Sequence, residues 1–324
     1  MTPVRTQSLP EQSPSRWSSR GFTLLKVGLS ALAVGLVLRA VDLSAAWERM
    51  AVQDFWYLVA ALGVLLLQVG TGALRWHVIL QKLGAPARVL TSLQLYFIAV
   101  FFNVCLWGSV GGDVVRGWLS FRDKVPAEIA VNSVILDRVA ALVGVALLVL
   151  ATTSYWMARF DHTGGAWVPA AVAAAGLFGI LFVSQLHRLP QSWQHLRPVL
   201  LLHSFGTATR AIFLRPAAAV PTLILAVLSQ VLLALTAYLL ARSLSVGLSL
   251  IDCLVLMQPV TLITSLPISI GGWGVRETAV IAILGLVGVP ASAALALSVQ
   301  LGLLTMVVSL PGLVLWFMMK PKDG

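Results

Sequence analysis

Apolar runs long enough to cross a bilayer recur along this chain. They cover residues 22–38, 55–74, 128–157, 166–186, 216–240 and 291–318, with short polar stretches between them. A hydrocarbon core about 30 Å thick is spanned by roughly 20 apolar residues in a helix. In hydrocarbon the backbone must satisfy its own hydrogen bonds, so such runs fold as helices. The chain is 59% hydrophobic and only 10% charged, against the ~25% charged of a soluble domain. The fold class expected is therefore an all-α polytopic membrane protein. The net charge of +10 reads as membrane orientation rather than nucleic-acid binding, because the basic residues sit between apolar runs. Cys105 and Cys253 stand in separate apolar segments and read as packing residues.

Two further apolar segments are broken. Residues 91–119 are interrupted at Gly108–Asp113, and residues 250–288 at Leu266–Glu277, which reads LPISIGGWGVRE. Pro267 removes a donor, Gly271, Gly272 and Gly274 loosen the helix, and Arg276 and Glu277 bring charge to membrane depth. Opened backbone in hydrocarbon is tolerated only where protein buries it or where it lines a cavity. Ser109–Arg116 and Ser269–Arg276 share the pattern S-[VI]-G-G-x-x-V-R, once in each half.

Basic residues set the expected topology. If both broken segments are hairpins that return to the side they entered, most Lys and Arg gather on one side. That side holds the tail, a basic loop at 75–90 (Arg75, Lys82, Arg88), the loop after Arg116, a basic 187–215 loop, and Lys320 and Lys322. Arg39, Arg49, Arg159 and Arg242 are left on the other. Excess Lys and Arg in short loops mark the cytoplasmic face, so both termini are expected there, in an inner (plasma) membrane. The chain then divides into a disordered cytoplasmic tail (1–20), a first membrane repeat (21–158) and a second, inverted membrane repeat (159–320). Each half would hold three spanning helices plus one re-entrant helical hairpin. Residues 39–54 read as a polar loop, and 187–215 as a loop lying partly on the interface.

Paired Gly/Pro-interrupted segments in inverted repeats point to a transport site. Gly111, Gly112, Gly271 and Gly272 would let backbone approach a ligand closely. Arg116 and Arg276 offer bidentate donors suited to phosphate, with Ser109, Ser269 and Trp273 completing the motifs. Asp113 and Glu277 are placed to pair with these arginines or to carry a coupling proton. Asp137 and Arg138 are adjacent and point in different directions; Asp137 to Arg116 is one pairing open to them. The competing reading has both motif arginines snorkelling to opposite interfaces as anchors. Asn103, Trp107, Gln258, Pro259 and Ser265 are further lining candidates. The sequence holds no nucleophile elbow, P-loop, dinucleotide fingerprint or zinc-ligand set, so no catalytic residue, cofactor or metal is expected.

GSVGGDVVRG, the following span with Asp137-Arg138, and LPISIGGWGVRE together resemble the flippase-like transmembrane domain of lysylphosphatidylglycerol synthases. The resemblance extends over roughly residues 20–318. It implies movement of a lipid or a lipid-linked glycan between leaflets; with the motif residues, the expected substrate is an anionic phospholipid or lipid-linked glycan whose headgroup is held between the two hairpins where they meet near mid-membrane. In two-domain members a soluble domain makes the aminoacylated lipid. This chain stops at Gly324, so it is expected to be a stand-alone member without lysyl transfer. The alternative is an accessory or scaffolding subunit of a lipid-modifying or glycan-assembly enzyme. The partners in view are a membrane lipid, a cytoplasmic lipid-modifying enzyme, or further copies of the chain.

Overall fold

The structure, a computed structural model, describes residues 43–51, 53–85, 87–105, 110–160, 167–188, 197–265 and 273–319. The expected tail (1–20), the first apolar run (22–38), Trp107, Ser109, Pro267, Ser269, Gly271, Gly272 and the C-terminal lysines lie outside the described residues.

All regular structure among the described residues is helical. In chain order the helices are α1 (Leu43–Ala51), α2 (Phe55–Lys82), α3 (Val89–Cys105), α4 (Gly111–Arg122), α5 (Ala127–Phe160), α6 (Trp167–Ser184), α7 (Arg197–Phe213), α8 (Pro216–Ser243), α9 (Leu250–Ser265), α10 (Val275–Gly285) and α11 (Ala291–Met318). Four of these, α2, α5, α8 and α11, are long and apolar enough to cross a membrane. At 1.5 Å per residue, α4 and α10 reach only about 17 Å, too short to cross. Local sequence sets several starts. The Asp54 carboxylate accepts from the Trp56 N–H and caps α2, and Pro216 opens α8 at a position where no donor is missed. Ser249 and Asp252 exchange hydrogen bonds as a capping box at the head of α9.

The helical assignment corrects three expectations. Residues 39–54 are not a loop throughout, since α1 occupies 43–51. The basic loop at 75–90 begins later, because α2 continues to Lys82 and holds Arg75 buried. The 187–215 loop contains the 17-residue helix α7. A charge ends a span in a reading by composition, but a charge whose partner lies on another helix does not end the helix.

Helices α2 and α8 run antiparallel: the Asp54 N–H, at the head of α2, donates to the Ser243 carbonyl at the foot of α8 (3.0 Å). Ala61, Leu65 and Val69 face the same core as Ala234, Ala237 and Ala241, small residues that let membrane helices approach. The foot of α2 also gathers the heads of α3 and α5. His77 lies 3.0 Å from Ser92, and the Trp76 indole N–H donates to Ser133 (3.2 Å). The head of α9 instead meets the foot of α5, where the Tyr155 hydroxyl donates to Asp252 (2.9 Å). Helices α3 and α9 therefore start from opposite ends of the bundle.

Helix α4 folds back along α3. The Gly112 N–H donates to the Asn103 carboxamide oxygen (2.9 Å), and a Cβ at Gly112 would sit 2.7 Å from the Ala99 carbonyl carbon. Gly111, Gly112 and Asp113 form the first turn of α4 rather than a loose tip. What Gly112 permits is close backbone packing of two helices. In the second half the break falls later, and Gly274 takes a left-handed φ of 82° just before α10, a conformation that suits glycine. Helix α10 packs against both α9 and α11.

Candidate functional site

Two sets of charged side chains lie inside the helical bundle. The first joins α2, α4 and α5. Asp137 accepts from Arg75 Nε (2.8 Å) through one oxygen and from Arg116 Nη1 (2.9 Å) through the other. Arg116 reaches onward through Nη2 to Asp113 (3.1 Å), and Asp113 also pairs with Arg138. Asp137 and Arg138, though adjacent, thus serve opposite sides of the set. The Arg116 guanidinium lies over two rings, Trp76 at 4.7 Å and Tyr96 at 4.9 Å. Gly72 leaves the room that Tyr96 fills, since a Cβ there would lie 2.9 Å from the Tyr96 ring carbon Cζ.

Burial grades across this set. Arg75, Arg116 and Asp137 are buried, while the Arg138 side chain is 36% exposed. Removing ions from water costs several kcal/mol each, and only close, multiply bonded pairs offset it. Cation–π contact with a desolvated guanidinium adds about 2 kcal/mol. Arg116 meets both conditions, and it is the innermost member of the set. Asp137 stands about 15 Å along α5 from its head at 1.5 Å per residue.

The second set joins α10 and α11. Arg276 donates to Glu277 Oε1 through Nη2 (2.7 Å) and Nε (3.1 Å). Ser298 on α11 accepts from Arg276 Nε (3.3 Å) and donates to Glu277 (3.2 Å). The other Glu277 oxygen accepts the Gly274 N–H (2.6 Å) and closes the first turn of α10. Trp273 stacks on the Arg276 guanidinium at 4.7 Å. Gly302 on α11 provides the space, since a Cβ there would sit 2.9 Å from Arg276 Cζ. Ser298 lies about 10 Å from the head of α11 by the same rise. The heads of α5 and α11 lie at opposite ends of the bundle: α5 starts at the foot of α2, while Ala293–Leu297 share the core that holds Leu244 and Val246 after α8.

The expected site residues therefore divide. Asp113, Arg116, Asp137 and Arg138 come together, and Trp273, Arg276 and Glu277 come together elsewhere. No ion pair among the described residues joins the two sets. Gly111 and Gly112 are helical and support the first set from the backbone. Arg75, Trp76, Tyr96, Ser298 and Gly302 are members the sequence did not single out. The signal available for Arg75 was a basic residue seven positions before the end of an apolar helix, which a snorkelling lysine or arginine also gives.

A family model described as the lysylphosphatidylglycerol synthase TM region matches residues 23–312. The chain belongs to this family. No curated protein matches it. As a member of the lysylphosphatidylglycerol synthase TM-region family, it is a multi-pass membrane protein, and its family is the membrane domain of lipid-related proteins. The matched range contains both charged sets in full.

Proposed function

We propose that the chain moves an anionic phospholipid or a lipid-linked glycan between leaflets, using the two charged sets as stations for the headgroup. The observation that carries this reading is the placement of the sets. One lies nearer the end where α5 begins, the other nearer the end where α11 begins, and each joins a short helix, α4 or α10, to a helix of membrane-spanning length. Ionisable side chains at membrane depth mark transport paths by default. The first set stands in the half of the bilayer next to the heads of α3 and α5, the second in the opposite half. Arg138, the most exposed arginine of the first set, and Arg276, the arginine of the second, are the donors that meet a phosphate. Arg116, held by two aspartates and two rings, is a positioning residue for Asp113 and through it for Arg138.

Inverted repetition supports the reading. Helices α2, α3, α4 and α5 match α8, α9, α10 and α11 in order, with lengths of 28, 17, 12 and 34 residues against 28, 16, 11 and 28. Packed pairs recur in exchanged form: α11 on α3 answers α5 on α9, and α5 on α8 answers α11 on α2. With α3 and α9 starting from opposite ends, the arrangement supports the reading of an inverted-topology transporter with two re-entrant hairpins. The basic side would be cytoplasmic, with both termini there and the protein in the inner membrane.

The test is transbilayer movement of labelled phosphatidylglycerol in proteoliposomes. Wild-type protein moves the probe; Arg138→Gln and Arg276→Gln, each keeping a polar side chain, slow it at least tenfold while the protein still elutes as a folded species. Equal rates in wild type and a folded Arg138→Gln/Arg276→Gln double variant would refute the reading.

A further inference from the structure

Beside the first charged set, a cavity of about 350 Å³ lies among α5, α6, α7 and α9. Its walls include Val139, Leu142 and Ala146 of α5, Gly176 of α6, Phe205 of α7 and Leu262 of α9. Thr209 is the hydroxyl among the lining residues, and it donates to the Phe205 carbonyl (2.7 Å). Water has little to bond there, and apolar cavities without polar partners stay dry. An empty cavity of this size leaves its walls short of dispersion partners.

We propose that this cavity holds one acyl chain of a phospholipid whose phosphate lies at Arg138. Volume, surroundings and charge agree on that occupant. A cavity of ~150 Å³ accommodates benzene; in proportion, this one takes a chain of about 14 carbons. One wall, α5, is a helix of membrane-spanning length, and α6 and α9 are shorter apolar helices beside it, where the surrounding solvent is acyl chain. Arg138 immediately precedes Val139 and stands one turn from Leu142, both cavity walls. It lies on the side of those walls nearer the head of α5. Its side chain, paired on one side with Asp113, is 36% exposed and carries charge that complements a phosphate. Gly176 and Gly179 on α6 widen the space: a Cβ added at either meets nothing within 4 Å. The inference deepens the function proposed above by naming where the lipid's tail sits. It concerns binding alone, so a chain that binds without being moved leaves it standing while sinking the translocation reading.

The experiment uses the full chain in nanodiscs of phosphatidylcholine with added phosphatidylglycerol bearing a diazirine on its acyl chain. After photolysis, labelled peptides are quantified by mass spectrometry. Labelling of residues 139–146 and 172–183 saturates near one chain per protein, while the exposed α8 face at Val220 and Ile224 rises linearly with probe. Gly176→Leu/Gly179→Leu, which fills the cavity, cuts the saturable labelling at least fivefold. Phe178→Leu, on an outward position of the same helix that is 70% exposed, leaves it unchanged. Arg138→Gln raises the half-saturating concentration of this probe severalfold but not that of a diazirine diacylglycerol, which has no phosphate. Non-saturable labelling of the wild type overturns the proposal without any variant needing to fold. So does labelling that the filled variant retains, a cross-link showing residues 22–38 seated there instead, or an Arg138→Gln effect equal for both probes.

Discussion

Asp137→Asn isolates the energetics of the first charged set. The change keeps the shape of the side chain but removes the carboxylate that binds Arg75 at 2.8 Å and Arg116 at 2.9 Å. An amide offers one acceptor oxygen where the carboxylate offered two, and it turns an NH₂ toward one guanidinium. Two buried arginines are then left with Asp113 as the remaining acid of the set. Removing one partner of a buried pair costs about 3–5 kcal/mol, since an ion remains without compensation. Using the lower end of the ~2–4 °C per kcal/mol seen in larger domains, the melting temperature should fall by about 6–10 °C. The assay is the loss of the folded peak on size exclusion after heating in detergent. Asp113→Asn provides the comparison. It also loses two arginine contacts, but one is to Arg138, which is over a third exposed and so partly screened; its fall should be less than half as large. The reasoning is refuted if Asp137→Asn melts within about 1 °C of wild type, or if Asp113→Asn is the more damaging of the two.

Backbone contact makes Gly112, Gly144 and Gly312 intolerant. Gly112→Ala places a Cβ 2.7 Å from the Ala99 carbonyl carbon, and Gly312→Ala places one 2.6 Å from that of Phe97; each should cost about 1–3 kcal/mol as overpacking, read by the same melting assay. Gly302→Ala meets the flexible end of Arg276 instead, so it should change stability by less than about 1 kcal/mol yet slow phosphatidylglycerol movement in proteoliposomes severalfold. Trp76→Phe removes the hydrogen bond to Ser133 and weakens the stacking on Arg116; a loss of about 1–3 kcal/mol is expected, and Ser133→Ala in the same background should add little in a double-mutant cycle.

The membrane class, the long helices and the two broken segments were legible because each depends on local composition. A run of apolar residues must form a helix in hydrocarbon whatever it packs against. The last span matches the reading residue for residue, 291–318. The motifs and the Asp137-Arg138 pair named residues that the structure brings together, since Asp113, Arg116, Asp137 and Arg138 meet and Arg276 pairs with Glu277. The pattern did not reveal that its two copies are built differently. In the first, both glycines are helical and Arg116 is sealed under Trp76 and Tyr96; in the second, Gly274 turns the chain and Arg276 stays partly open.

What the sequence by itself determined, then, is which segments are apolar enough to form membrane helices and which of their residues carry charge, because both follow from one residue's preference for water or hydrocarbon. Only the tertiary structure decided how those charges are compensated. Arg75 and Asp137 are 62 positions apart and lie on helices whose spacing depends on alanines and glycines elsewhere in the bundle. The desolvation of a buried charge is offset only by partners in direct contact with good geometry, so those partners are a property of packing, which no stretch of sequence holds alone.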